Sequence, residues 1–353
     1  MSGHWSDPGC HPVIDGVHRI PLTLPQDGLR AVNIYALETE AGLALIDGGW
    51  NRGNTYRELA AGLARIGRRP DEIHDVFVTH IHRDHYTFAV ELRRRHGCRV
   101  HLGADEAPGL IGVRELGSNM PESSLRELRR AGAAELAAAA YAQAADEPFD
   151  VADWEPPDTW LRPGPLPLPE HDLHAMATPG HTKGHLVFHD RRNGLLYTGD
   201  HLLPTITPSI GFEIGEWDLP LGRFLESLRL LRDCERAMLP AHGPTGGSAA
   251  ERARELLAHH ERRFAEIEGV LVDLGAATGL AVAGALTWTR RHRRFAELDI
   301  FNRMIATCET MAHLDVLVSR GRAGREHRDG VDVFTAHQAH VHPPSTYNSV
   351  PVT

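Results

Sequence analysis

The sequence predicts an α/β fold. Residues 1–250 are expected as the main domain, with a helical insertion at about 104–150, residues 251–335 as a helical, winged-helix-like module, and residues 336–353 as a tail. Three observations predict it. Short β-prone runs alternate with stretches whose apolar residues recur at helical spacing, residues of metal-ligand type follow several of the β runs, and the pattern changes character after Gly247.

In order along the chain, residues 33–39 (NIYALET) and 43–47 (LALID) flank the turn residues Glu40 to Gly42 and read as a hairpin. Tyr56, Leu59, Ala60, Leu63 and Ile66 then recur at helical spacing, with Asn54 or Thr55 as N-cap and Gly67 after the last turn. Residues 75–79 (DVFVT) read as a buried strand, 86–96 as a helix and 98–102 (CRVHL) as a strand. From 104 to about 145 the pattern is helical and alanine-rich; residues 148–169 hold seven prolines with Trp154 and Trp160 and predict a rigid return loop. Strands resume at 171–178, 186–190 and 194–198. Leu221, Phe224, Leu225, Leu228 and Leu231 mark an amphipathic helix, and 238–241 a closing strand. Beyond Gly247, residues 251–274, 280–288 and 301–320 read as helices and 322–334 as a hairpin turning at Asp329-Gly330. Helices followed by a hairpin suggest the winged-helix-like module. The polar, proline-bearing end predicts a loosely ordered tail.

Composition narrows the function classes. With 42% hydrophobic and 24% charged residues, the chain of 353 is neither collagen-like, coiled-coil nor wholly disordered. The balance of 37 basic against 47 acidic residues, net −10, argues against a long phosphate-coating surface and hence against a nucleic-acid partner. Cys10, Cys98, Cys234 and Cys308 show no close pairing, which predicts neither a disulfide framework nor a thiolate zinc knuckle and fits a reducing compartment. No apolar run approaches membrane-spanning length and the N-terminus has no signal-peptide pattern, so a cytoplasmic protein without a membrane span is expected. Two oddities stand out: 24 histidines, and Lys183 as the single lysine.

The dense chemical signal is Thr79-His80-Ile81-His82-Arg83-Asp84-His85, directly after a predicted strand. Three imidazoles and a carboxylate so close together suit zinc, iron or manganese, because a strand end fixes the first side chain and the following loop turns the others inward. Further strand ends supply Gly180-His181, Thr198-Gly199-Asp200 and His242-Gly243, each beside a glycine that lets the backbone pass near a crowded site.

These elements together resemble the metallo-β-lactamase fold superfamily. Its HxHxDH, later GH, TGD and final HG elements are matched by His80 to His85, Gly180-His181, Thr198-Gly199-Asp200 and His242-Gly243, and its early strand-end aspartate by Leu45-Ile46-Asp47-Gly48-Gly49, over roughly residues 15–250. The resemblance implies an αββα sandwich with two divalent metal ions at one edge of the sheets, zinc first, with manganese or iron as alternatives. His80, His82 and His181 would hold the first ion, Asp84, His85 and His242 the second, and Asp200 would bridge. Asp47 would orient ligands rather than bind metal. Two ions about 3.5 to 4 Å apart would lower the pKa of a shared water from about 15.7 toward about 7, with Asp84 and Asp200 as the catalytic carboxylates that orient it and accept its proton.

Within the superfamily an aspartate at position 200 resembles thioesterases of the glyoxalase II type, lactonases and phosphodiesterases. Tyr86-Thr87 stand where glyoxalase II-like members often have small residues, which weighs against glutathione thioesters. The expected activity is therefore hydrolysis of an ester-like bond in a small molecule: thioester, lactone or phosphodiester, in falling order. The alternatives are a mono-iron persulfide dioxygenase-like enzyme, and an endoribonuclease-like or non-catalytic RNA-binding member. Lys183 and Tyr86 are candidate substrate contacts, Lys183 for an anionic group; His185 and His201 are candidate supports for the ligands. The run Arg290-Arg291-His292-Arg293-Arg294 reads as a solvated connection, and the stripe of Ile305, Cys308, Ala312 and Val316 as core or homodimer packing. The inserted helices and the C-terminal module are expected as facing walls of the substrate cleft.

Overall fold

The computed structural model describes residues 4–24, 28–116, 118, 120, 122–145, 148–211, 218–289 and 292–337. Two sheets lie face to face. The first has seven strands in sequence order: β1 (His11–Ile14), β2 (Val17–Thr23), β3 (Ala31–Thr39), β4 (Gly42–Ile46), β5 (Ile73–Phe77), β6 (Arg99–Gly103) and β7 (Thr159–Leu161). Pairing is antiparallel from β1 to β4 and parallel from β4 to β7. The second sheet runs in the order β12-β11-β10-β9-β8, where β8 is Gly164–Pro165, β9 Leu173–Ala177, β10 Leu186–Asp190, β11 Leu195–Gly199 and β12 Ala237–Pro240; only the β11–β12 pair is parallel.

Alternation along the strands explains the layers. Inward residues of both sheets, among them Tyr35, Leu37, Ile46, Phe77, Phe188 and Tyr197, share one buried core, in which Tyr35 meets Tyr197 edge-on at 5.2 Å. The outer face of the first sheet (Ile20, Val32, Ile34, Leu45, Val76) packs against helices α1 (Thr55–Ala64), α2 (Arg83–His96) and α3 (Ala107–Leu116). The outer face of the second (Val187, Leu196, Met238) packs against α6 (Pro220–Leu231) and α7 (Ala249–Leu274). This is an αββα sandwich. Gly97, at φ 76°, closes α2 with its N–H bonded to Arg93 O, and Ser248 caps α7 by accepting from Glu251 N.

The insertion continues with α4 (Glu122–Arg130) and α5 (Ala134–Ala145). After α7 come β13 (Ala276–Thr278), α8 (Gly279–Ala285), β14 (Thr287–Trp288), β15 (Arg293–Arg294), α9 (Ile300–Ser319), β16 (Ala323–Arg328) and β17 (Val331–Ala336). A three-stranded sheet ordered β13-β17-β16 packs beside α7, α8 and α9. The helix α9 touches α4, α5, α6, α7 and α8 and is buried at most positions from Met304 to Leu317.

Several expectations are corrected. The proline-rich stretch is not only a loop, since β7 and β8 sit in it and extend both sheets. The helix expected over 280–288 ends at Ala285, because Leu286 is already extended. The insertion and the C-terminal module flank a cavity of about 320 Å³, lined by Arg126, Glu127 and Arg130 on α4 and by Cys308, Ala312 and Asp315 on α9, but none of the candidate metal ligands lines it. The two units pack together: Leu125, Leu128, Ala137 and Ala140 share a cluster with Met304 and Cys308, Leu280 N bonds to Ala131 O, and Arg130 pairs with both Asp315 and Asp332. Of the tail expected at 336–353, Ala336 ends β17, and 338–353 lie outside the described residues, as do Arg290 and Arg291 of the basic run. No helix among the described residues is long and apolar enough to cross a membrane.

Candidate metal centre

The carboxyl ends of the parallel strands meet at one edge of the sandwich. Asp47 follows β4, His80 to His85 follow β5, Asp200 follows β11 and His242 follows β12, while His181 and His185 lie on the loop joining β9 to β10. Gly199 permits this convergence: its φ is 49°, and a Cβ there would come within 2.8 Å of His185 Nε2 and 2.7 Å of Thr79 Oγ1.

Three sets of potential ligands result: His80, His82 and His181; His80, His85 and Asp200; Asp84, His85 and His242. His82 Nδ1 lies 3.1 Å from His80 Nε2 and 3.0 Å from His181 Nε2. Asp84 Oδ2 is 3.3 Å from His242 Nε2 and 3.7 Å from His85 Nε2. Asp200 stands between the two groups: Oδ2 is 3.6 Å from His181 Nε2, while Oδ1 is 3.7 Å from His85 Nε2 and 3.4 Å from His242 Nε2.

Other atoms hold these side chains in place. Asp47, at φ 63°, accepts from Thr79 N at 2.8 Å and Thr79 Oγ1 at 2.9 Å, and its Oδ2 is 3.0 Å from His85 Nδ1. A non-glycine residue held in the left-handed region stores strain that the surrounding bonds must sustain. His181 Nδ1 bonds to Ser209 O and His242 Nδ1 to Ala31 O, each at 2.8 Å. His185 Nδ1 is 2.9 Å from Thr178 Oγ1, and its Nε2 accepts from Asp200 N at 3.2 Å, so it supports the Asp200 turn. His201 is buried against Phe224, with ring centroids 4.8 Å apart, and bonds to no ligand.

The electrostatics divide the cluster. Burial pushes His80 well below its ordinary range, and takes His82 to about 3 and His181 to about 4, so these imidazoles are neutral, as ligation requires. Burial also opposes charge on His85, but the carboxylates Asp47, Asp84 and Asp200 outweigh it and raise the group to about 10. Asp200 and Asp84 likewise raise His242 against its burial. Burial works against ionisation of Asp84 too, yet His85 and His242 hold its carboxyl far below the usual range.

These donors fit a divalent cation. Among the described residues, His85 Nε2, Asp200 Oδ1 and His242 Nε2 are buried without a hydrogen-bond partner and converge on one another, which is costly unless a cation is shared between them. The candidate substrate contacts fare differently. Lys183 is half-buried two residues after His181, and its charge acts on the buried Glu106. Tyr86 is corrected: it is wholly buried, stacks on Trp154 and donates its hydroxyl to Glu155 O, so it is part of the packing of α2.

Sequence reasoning missed Glu106. This fully buried carboxyl lies beyond β6, accepts from Thr182 Oγ1 and lies against the backbone of Ile81 and Gly184, so it ties the loop of His80 and His82 to the loop of His181. Burial raises it to about 7. Gly184 is required there, since a Cβ would come within 2.4 Å of Glu106 N. The one sequence signal is the acidic pair Asp105-Glu106 after a strand, in which nothing distinguishes the buried acid from the exposed one.

A family model described as the metallo-beta-lactamase superfamily matches residues 27–257, and the chain belongs to that superfamily. Over 101 residues it is 34% identical to the lactamase-like protein nscB of Neosartorya fischeri, covering 28% of each chain, so the chain spans under a third of that relative's length. It covers 35% of the lactamase-like protein aptB of Emericella nidulans, at 28% identity over 116 residues and 33% of this chain. Among solved structures, the metallo-beta-lactamase family protein TTHA1429 from Thermus thermophilus is similar at a TM-score of 0.68 and 26% identity, over 92% of this chain and 100% of that one. A beta-lactamase domain protein from Burkholderia ambifaria shares the fold at 0.71, with 24% identity and 93% of each chain covered.

Proposed function

We propose that the chain is a hydrolase dependent on two divalent metal ions, zinc first, that cleaves an ester-like bond of a small molecule: a thioester, then a lactone, then a phosphodiester. The observation that carries this reading is the convergence of His85 Nε2, Asp200 Oδ1 and His242 Nε2, buried and unpartnered, beside a second set of imidazoles on His80, His82 and His181. One set would suffice for a single ion; the position of Asp200 between both favours two.

When bound, the ions would supply an acidified water and polarise the substrate oxygen. The residues of the chain do the rest. His80 and His85 are fully enclosed, whereas His82 and Asp84 keep some exposure, so substrate approaches from the His82–Asp84 side. Asp84, which keeps some exposure and lies 3.3 Å from His242 Nε2, would orient the attacking water and take up its proton. Asp200 orients that water, and its own placement is held by His185. Lys183 holds an anionic group of the substrate.

Two features weigh against RNA as substrate. The chain carries a net −10, and α9 is enclosed by five other helices rather than presented to a groove. A cytoplasmic location fits the four cysteines, all free thiols.

The test is elemental analysis of purified protein combined with a panel of acyl thioesters, lactones and phosphodiesters. Two equivalents of zinc or manganese, with turnover lost in Asp84→Asn, are expected. One iron with oxygen consumption on a persulfide would replace this reading with the dioxygenase, and absence of bound metal after reconstitution would overturn both.

A further inference from the structure

We propose that Asn33 is a positioning residue that sets His242 in place for the second metal ion; this rests on the two-ion reading above. Asn33 lies in β3, on the opposite sheet from the strand that carries His242, and is fully buried. Its Nδ2 donates to Pro240 O at 2.9 Å and to Gly243 O at 3.0 Å, the carbonyls on either side of Ala241-His242. Its backbone N–H donates to Ala241 O at 2.7 Å. Two residues earlier, Ala31 O meets His242 Nδ1 at 2.8 Å, and two residues later the Tyr35 hydroxyl donates to Pro240 O at 2.8 Å. Every residue from Pro240 to Gly243 is therefore bonded to β3.

The orientation of the Asn33 amide is itself fixed. The Arg19 guanidinium donates to Asn33 Oδ1 at 2.8 Å, leaving the amide NH2 as the only end that can face the two carbonyls. Arg19 is 8% exposed and also donates to Trp5 O. A buried cation is an expensive way to anchor an amide. What it secures is the aim of His242 Nε2, which ends 3.3 Å from Asp84 Oδ2 and 3.4 Å from Asp200 Oδ1. His80, His82 and His181 receive none of these Asn33 bonds.

The prediction is therefore selective. In Asn33→Asp, a carboxylate oxygen would replace the amide NH2 against two carbonyl oxygens, and the loop must withdraw, taking His242 with it. Asn33→Ser removes the bonds without the repulsion and leaves room for water, so it serves if the aspartate variant fails to fold. Metal-free full-length protein is titrated with zinc, and with cobalt for its visible absorption. Both variants are expected to bind the first equivalent within about threefold of wild type and the second about 10–100-fold more weakly, as for loss of other groups that orient ligands. The cobalt bands from the second equivalent should change while those from the first persist. Equal weakening of both equivalents, together with a lower melting temperature of the metal-free variants, would show a general structural role and overturn the inference. Two wild-type equivalents with unchanged second affinity in both variants would overturn it alone. Fewer than two equivalents in wild type would overturn the two-ion reading and this inference with it.

Discussion

His85 Nδ1 lies 3.0 Å from Asp47 Oδ2, both side chains buried, and this contact turns the opposite nitrogen of the ring toward Asp84 and Asp200 at 3.7 Å each. Asp47 belongs to none of the three ligand sets, yet it determines which face His85 offers.

Asp47→Asn keeps an oxygen for the Thr79 N–H but can place an NH2 where His85 Nδ1 needs an acceptor. Metal affinity is expected to fall about 10–100-fold with the fold retained. Isothermal titration with zinc checks this; wild-type affinity would show that the contact does not orient the ligand.

For substrate charge, Lys183→Met is expected to raise KM for anionic substrates about tenfold, corresponding to about 1.4 kcal/mol, and to leave neutral analogues unchanged. Its charge also acts on the buried Glu106. An equal effect on charged and neutral substrates would assign Lys183 to shaping the loop.

Stability should depend on pH through Asp75. Burial alone would raise its pKa, but hydrogen bonds from His101, Arg99 and His74 at 2.6, 2.7 and 2.7 Å hold it well below the carboxylate range. Because the folded value is depressed, this stabilisation is complete above the unfolded pKa of about 3.9 and is lost as pH falls toward the folded one. Asp75→Asn should therefore cost about 2 kcal/mol near neutrality, discounting the exposed Arg99, and much less near pH 2. Denaturant melts at both pH values decide it: a pH-independent difference would mean that the network acts through packing alone.

Truncation after Gly247 removes Leu256, Phe264, Ile267 and Leu271, which share a core with Phe224, Leu225 and Leu228 on α6. The shortened chain is expected in the insoluble fraction although all seven candidate ligands remain. Soluble, metal-binding protein of that length would show that the module is a separable appendage.

Legibility followed sequence distance. The cluster from His80 to His85 was readable because its donors are close together behind one strand, and the other ligands because each follows a strand end beside a glycine. Asn33 and Ser209 were not, since each acts through a residue remote in sequence: Asn33 through the His242 loop, Ser209 through a carbonyl that no side-chain pattern reveals. Tyr86 misled because it adjoins a ligand in sequence while pointing into the packing of α2. The strands β7 and β8, of three and two residues, are too short to show any alternation.

The joint packing of α4 and α5 with α9 has a consequence for biosynthesis. As the chain leaves the ribosome, the insertion is made early, but its partners Met304 and Cys308 emerge more than a hundred residues later. Throughout that interval the apolar faces of Leu125, Leu128 and Ala137 wait without that cover. Completion of the nascent polypeptide thus comes close to being a condition for its native state, and premature termination within the last two helices would yield a product recognised by chaperones rather than a smaller enzyme.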